Sequence, residues 1–191
     1  MEEFQFWKWF TENKKMIEDF LHQKIRDYSP YEILTAKLKE YHPEVIPELT
    51  IDSSKNYVLI LSCDGIQGGI QPVEKLYEAA PEIESWVVQK FRAPGHIIDL
   101  NFKGLKFKAK DIKAKYFLGS DKIDILLYIK GYNEEDSRFK TLAFLYLDHL
   151  VGEYLVMTKI GVIEFKKLGF LTKTSDLISL PELSGIIKAL V

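Results

Sequence analysis

The stretch FKTLAFLYLDHLV, residues 139–151, decides the fold because it is almost wholly apolar yet shorter than the roughly 20 residues that a membrane span needs. On a helical wheel one apolar stripe contains Phe139, Leu142, Ala143, Tyr146 and Leu150, and further apolar positions round the wheel are Phe144, Leu145, Leu147 and Val151. Such a helix must be buried on more than one side. We therefore predict a core helix near residues 136–151, packed against a sheet, with Leu142, Tyr146 and Leu150 nearly inaccessible. The Tyr146 hydroxyl should find a hydrogen-bond partner or reach water.

Two helices are predicted before this region. Apolar residues at helical spacing extend the first helix to about Tyr28. Ser29 and Pro30 then predict the N-cap and first position of a second helix, which Pro43 ends. A hairpin follows, with YVLILSC as its central strand. A short helix from Pro72 to Ala80 and the strand SWVVQKF complete a parallel crossover.

The sequence of the second half predicts a strand meander before the core helix and one further strand after it. Its strands are HIIDLNF, GLKFKA, KYFLGS and KIDILLYIK before the helix and KIGVIEF after it, and a closing helix spans Leu180–Val191 after Ser179. No internal repeat is visible. The fold class is therefore α+β, a mixed and largely antiparallel sheet with helices packed on it, in one domain over residues 1–191.

Composition and charge restrict the class of binding partner, but they do not indicate a class of reaction. The 191 residues carry a formal charge of −2, so only a local cluster could indicate a nucleic-acid or membrane partner. Cys63 is the single cysteine, and the start MEEFQFWKWF is unlike a secretory signal. We predict a cytoplasmic protein without a membrane partner, cofactor or bound metal.

Asp148, His149 and Glu153 are the strongest candidates for catalysis. His149 and Glu153 are four residues apart and would share a helix face, as a metal pair or a general base would require. However, Gly152 is well placed to end the helix and to turn Glu153 off that face. A capping or buried hydrogen-bonded role is therefore favoured over chemistry.

Asp64 and Gly65 open a glycine-containing loop between a strand and a helix, where α/β folds bind phosphate. The loop lacks the lysine and hydroxyl of a P-loop. The alternative is a plain turn in which Gly65 and Gly68 take positive φ.

Six lysines between Lys103 and Lys115 form the one basic cluster, interleaved with Phe102, Phe107 and Tyr116. Such alternation could bind single-stranded nucleic acid by charge and stacking. It is also typical of an amphipathic edge strand with its lysines in solvent, which is the favoured interpretation.

The N-terminal segment carries five aromatic residues, Phe4, Phe6, Trp7, Trp9 and Phe10, which point around most of a helical wheel. One buried face cannot absorb them all. Either the protein covers both sides, or one side binds a partner protein or a second copy of the chain through residues such as Trp7, Trp9 and Phe10.

Four segments together resemble a group of uncharacterised small bacterial cytoplasmic proteins, a domain of unknown function. They are FWKWF, the CDG loop, EAAPEIESWVVQKFR and LDHLVGEYLVMTKIGVIEF. The resemblance spans most of the chain and implies a bacterial source and a single domain, but no activity.

The sequence thus predicts a non-enzymatic interaction protein, with Trp7, Trp9, Phe10, Asp64 and Gly65 as candidate binding residues. One alternative is a metal-dependent or acid/base hydrolase that uses Asp148, His149 and Glu153. Another is a single-stranded nucleic-acid binder that uses the Lys103–Lys115 region.

Overall fold

A computed structural model describes residues 1–25, 27–95 and 99–190. The chain forms two compact units, residues 1–92 and 93–191. The described residues contain six α-helices and three small sheets, which confirms the α+β class. Parts of three predicted elements lie outside the described residues, namely Arg26, His96–Ile98 and Val191. The single domain over residues 1–191 stays a prediction.

The first unit is a three-stranded sheet with three helices. In chain order it contains α1 (Glu3–His22), α2 (Ser29–Tyr41), β1 (Ile46–Ile51), β2 (Tyr57–Ser62), a 3₁₀ turn (Gln67–Gly69), α3 (Ile70–Glu78) and β3 (Trp86–Lys90). β2 is central, antiparallel to β1 and parallel to β3. The predicted hairpin, central strand and parallel crossover are therefore confirmed.

Aromatic side chains fill the core of this unit. Phe6, Trp7 and Phe10 of α1 are buried, and the Phe10 ring meets Trp86 edge to face with centroids 4.9 Å apart. The Trp7 indole N–H donates a buried 2.8 Å hydrogen bond to the Leu76 carbonyl of α3. Since an indole N–H needs a partner when it is buried, this bond ties α1 to α3.

The boundary between α1 and α2 differs from its prediction. α1 ends at His22, and Ile25 is exposed despite its helical spacing. The Gln23 side chain accepts a hydrogen bond from the Asp27 N–H at 2.8 Å, in place of the backbone carbonyl that a helix would use. Asp27 Oδ1 in turn accepts from the N–H and hydroxyl of Ser29 at 3.0 and 2.7 Å. Ser29 therefore lies inside α2, whose N-cap is Tyr28.

The second unit has a two-stranded and a three-stranded sheet. In chain order it contains β4 (Leu100–Phe102), β5 (Leu105–Phe107), a 3₁₀ turn (Ala109–Asp111), β6 (Ile112–Leu118), β7 (Ile123–Lys130), α4 (Arg138–Val151), α5 (Glu153–Lys159), β8 (Ile160–Leu168) and α6 (Leu180–Lys188). β4 pairs with β5 in the small sheet. β7 is central in the larger sheet, antiparallel to β6 and parallel to β8.

α4 is the predicted core helix. Leu142, Tyr146 and Leu150 are 1, 2 and 3% exposed, which confirms the predicted stripe. Phe144 and Leu145 are exposed, so the helix is buried on less of its circumference than the sequence suggested. The Tyr146 hydroxyl is buried and has no hydrogen-bond partner among the described residues, contrary to expectation. Burial of the hydroxyl is the main cause that raises the pKa of Tyr146, and the negative charge of Asp99 raises it further.

The joint after α4 also differs from its prediction. Gly152 ends α4 with φ of 89°, as the sequence indicated. A second helix, α5, then begins at Glu153, where the sequence suggested only a connection to the strand. The pair α4 and α5 therefore forms a second parallel crossover, between β7 and β8. The predicted closing helix is confirmed as α6, with Ser179 as its N-cap and Glu182 completing a capping box.

Candidate functional site

The N-terminal aromatic residues divide between the core and the surface. Phe6, Trp7 and Phe10 are buried, Trp9 is half-buried, and Phe4 is 74% exposed. The first unit therefore covers most of the aromatic surface of α1. Of the residues predicted to bind a partner, Trp7 and Phe10 are buried and Trp9 is half-buried, whereas Phe4 is the aromatic residue of the segment that is mainly exposed.

A groove runs beside the exposed start of α1. Its volume is about 390 Å³, and its lining combines α1 with the end of α3 and the residues after it: Phe4, Trp7, Lys8, Thr11, Glu12, Ala79 and Pro81. The walls are mainly apolar, while Lys8 and Glu12 are four residues apart on α1. Because the Trp7 hydrogen bond to Leu76 joins the two helices, the groove is a preformed feature of the unit.

The unit that contains this groove carries a net negative charge. Residues 1–92 contain 11 Lys and Arg against 16 Asp and Glu, a net charge of −5, whereas residues 93–191 contain 15 against 12, a net charge of +3. A whole-chain charge of −2 hides this difference. The unit that holds the groove therefore attracts cationic partners at low ionic strength.

Asp64 and Gly65 form a tight turn at the carboxyl end of β2. Both take positive φ, 50° and 81°. Arg92, which follows β3, donates a 2.9 Å hydrogen bond to Asp64 and lies 3.3 Å from the Glu48 carboxylate. Two carboxylates thus face the guanidinium, which makes this loop a poor place for a phosphate. Gly68 lies in the 3₁₀ turn instead of taking the positive φ that the plain-turn interpretation predicted.

The hydrolase candidates lie in the second unit, and Gly152 separates them. Glu153 is fully buried at the start of α5, while Asp148 and His149 are half-buried near the end of α4. The His149 ring lies so close to Gly95 that a Cβ there would overlap it, and the Gly95 N–H donates to the His149 carbonyl at 2.7 Å. Over residues 1–25, 27–95 and 99–190, no group of three or more His, Cys, Asp or Glu side chains could hold a metal ion.

The lysine cluster spans the β4–β5 hairpin, the 3₁₀ turn after it and the edge strand β6, and its first four lysines are exposed. Asn101 pairs with Lys106 on the polar face of β4 and β5, where a hollow of about 320 Å³ also involves Lys108 and Asp99. The aromatic residues face the other way: Phe107 is buried, and Phe102 and Tyr116 pack against the core. Few aromatic faces therefore remain for base stacking in this region.

Comparison with protein-family models, with curated proteins and with solved structures finds no match to the chain. No helix in the described part of the chain is long and apolar enough to cross a membrane. The groove was not predicted, because Ala79 and Pro81 meet α1 only through the tertiary fold. The one signal for it was the surplus of aromatic residues in Phe4–Phe10.

Proposed function

We propose that this chain is a non-enzymatic protein-interaction module that binds a segment of a partner protein in the groove between α1 and α3. The observation that carries the proposal is the 74% exposure of Phe4 at the edge of an apolar groove whose Trp7 is fixed by a hydrogen bond. Exposed aromatic residues next to a preformed hollow are typical of binding anchors.

The chemistry of the partner segment follows from the lining and the charge. Apolar walls favour an aliphatic or aromatic anchor side chain. The net charge of −5 on residues 1–92 favours basic residues beside that anchor. We place this interaction in the cytoplasm, a proposal supported by the single cysteine Cys63.

Filling the groove tests the proposal. Peptides selected from a random display library against the full chain should carry an apolar anchor with flanking Lys or Arg. Ala79→Phe puts a large side chain into the groove from an exposed position, and should weaken these peptides at least about tenfold, the equivalent of about 1.4 kcal/mol. Ala36→Phe, at an exposed position of α2 outside the groove lining, is the matched control.

Sedimentation equilibrium of the same variants distinguishes the occupants. A dimer that Ala79→Phe dissociates and Ala36→Phe does not would make a second copy of the chain the occupant. If the selected peptides bind wild type and Ala79→Phe equally, or if neither peptides nor a second copy bind, the proposed function is wrong.

A further inference from the structure

The turn after β8 holds two adjacent large apolar side chains in open solvent. Phe170 and Leu171 are 104% and 95% exposed, more than any other large apolar residue among those described. The turn is closed on itself, because the Gly169 N–H donates to Thr172 Oγ1 at 2.9 Å and the Thr172 N–H donates to the Gly169 carbonyl at 3.1 Å. We call residues 169–172 the apolar tip. Its two apolar side chains do not pack in the core, and their exposure to water is unfavourable in free energy.

Lysines flank the apolar tip in sequence. Lys166 and Lys167 precede it and Lys173 follows it, and residues 165–175 contain no Asp or Glu. Three of the fifteen Lys and Arg residues of the second unit therefore lie next to its most exposed apolar side chains in sequence.

The register of the three-stranded sheet brings more lysines to the same end. Lys113 of β6, Tyr128 of β7 and Lys166 of β8 form one row across the sheet, and Lys130 pairs with Leu168 just before the tip. Because side chains alternate between faces, Lys113, Lys130 and Lys166 lie on the same face. This is the outer face, since the alternate β7 residues Ile125, Leu127 and Ile129 are buried in the core.

Acidic groups compensate this lysine group only weakly. The carboxylate of Asp111 lies 3.9 Å from Lys130 Nζ, a long ion pair whose lysine is 71% exposed. Glu182 interacts electrostatically with Lys113, but its carboxylate already accepts hydrogen bonds from Ser179 in the capping box of α6. Exposed ion pairs of this kind contribute little. Asp124 and Glu164 also lie on this face, so a surplus of lysine over carboxylate is what remains for an external anion.

We propose that the apolar tip docks on an anionic lipid surface, with Phe170 and Leu171 inserted below the headgroups and the surrounding lysines on the lipid phosphates. An apolar tip surrounded by lysines matches the boundary between acyl chains and an anionic headgroup layer. Long lysine side chains also reach headgroups while their stems lie along apolar surface. A nucleic-acid site fits less well, because Leu171 offers no stacking face and Phe170 is the tip's single aromatic residue.

A lipid contact at the apolar tip differs from the sequence prediction of no membrane partner. That prediction rested on the whole-chain charge of −2 and on the lack of a long apolar run. Neither feature is sensitive to two exposed apolar residues with lysines beside them. Contact with a lipid surface also requires no spanning helix, because the tip only has to enter the headgroup layer.

Vesicle flotation of the full chain tests the proposal. The chain should float with vesicles of phosphatidylcholine and phosphatidylglycerol at low salt. It should float much less at high salt, and not with phosphatidylcholine alone. Phe170→Ser combined with Leu171→Ser should weaken binding at least about tenfold, because two large apolar groups no longer leave water. Ile25→Ser, at a 92% exposed position in the first unit, is the matched control and should change nothing.

The lysines need a separate control for net charge. Lys166→Gln with Lys167→Gln should weaken flotation several-fold, whereas Lys24→Gln with Lys39→Gln, two exposed lysines of the first unit, should leave it unchanged. The substituted side chains are in solvent, so each variant should melt like wild type. Flotation that survives the double serine change, or no flotation with anionic vesicles at low salt, overturns the proposal. So does loss of a dimer, or of oligonucleotide binding, as the sole effect of that change.

Discussion

The two units share one connectivity but fill it with different residues. In each, a hairpin is followed by a helical crossover to a third strand that lies parallel to the central one: β1, β2, α3, β3 in the first and β6, β7, α4, α5, β8 in the second. The first unit packs Phe and Trp rings and carries a net charge of −5. The second packs mainly Ile and Leu and carries +3.

The same strand and helix connectivity therefore supports two different surface chemistries. In the first unit, which carries a net negative charge, the exposed aromatic residue borders a groove, for which we propose a protein segment as the occupant. In the second unit the exposed apolar residues project from a tip that lysines flank, for which we propose an anionic lipid surface. Residue counts over the whole chain average these properties away.

Truncation of a ring in the aromatic core of the first unit should lower stability most. Phe10→Ala should lower the free energy of unfolding by about 3–5 kcal/mol, because it empties a fully buried site against Trp86. Trp7, Trp9 and Trp86 all lie in the first unit, so tryptophan fluorescence in a denaturant melt reports on that unit. Phe4→Ala, at an exposed position, should cost under about 0.5 kcal/mol. Similar losses for both variants would show that the core has been misplaced.

Truncation of a side chain in the aliphatic core of the second unit should lower stability slightly less. Leu142→Ala should cost about 2–5 kcal/mol, measured by far-ultraviolet circular dichroism in denaturant, because the side chain is 1% exposed. Phe144→Ala on the exposed side of the same helix is the control.

The same melts test whether residues 1–191 form one domain. If they do, Leu142→Ala should shift the tryptophan transition of the first unit as well, and the two signals should coincide. A fluorescence transition that ignores this substitution would show two domains that unfold separately.

Substitutions of two buried polar side chains should change the free energy of unfolding by smaller amounts and with opposite signs. Trp7→Phe should destabilise by about 1–3 kcal/mol, because it leaves the Leu76 carbonyl without its donor and reduces the packed volume. Tyr146→Phe should stabilise by about 1 kcal/mol, because it removes a buried hydroxyl that has no partner among the described residues. Thermal melts of the two variants check the signs. A clear loss of stability in Tyr146→Phe would mean that the hydroxyl is satisfied.

The dependence of stability on pH should change least. The pKa of Glu3 lies below its usual value, first because its own backbone N–H and then because the Tyr41 hydroxyl hydrogen-bonds its carboxylate. Because the pKa of Glu3 is lower in the folded than in the unfolded state, these hydrogen bonds stabilise the fold. Their contribution to the free energy of unfolding is fully present above about pH 4.3 and is lost as the pH falls through the folded pKa.

Tyr41→Phe should therefore make the acid side of the stability curve shallower, by less than about 1 kcal/mol, because the Glu3 carboxylate is only partly buried and solvent screens the interaction. Tyr31→Phe is the matched control, because its hydroxyl donates to the Pro47 carbonyl at 3.0 Å instead of to a carboxylate. Identical acid slopes in wild type and Tyr41→Phe would contradict the assigned cause.

Features that depend on neighbours in sequence were predictable. The apolar stripe of α4, the break at Gly152 and the cap at Ser179 follow from side-chain spacing and local hydrogen bonds. The end of α1 was missed because the Gln23 side chain replaces a helical acceptor, a competition that apolar spacing does not show.

Features that depend on distant residues were not predictable. The second parallel crossover requires β8 to align beside β7, more than 30 residues earlier in the chain, and α5 has few strong helix signals in YLVMT. The candidate site was found only in part. Aromatic spacing drew attention to α1, but which rings become core depends on where α3 and β3 lie.

The position of Cys63 makes the chain convenient for site-specific chemistry. It is the single cysteine and is fully buried just after β2, so thiol reagents should react with it slowly in the native state. Leu171→Cys would then present one fast-reacting thiol at a 95% exposed position. A dye or spin label attached there would report the surroundings of that turn directly, without removal of the native thiol.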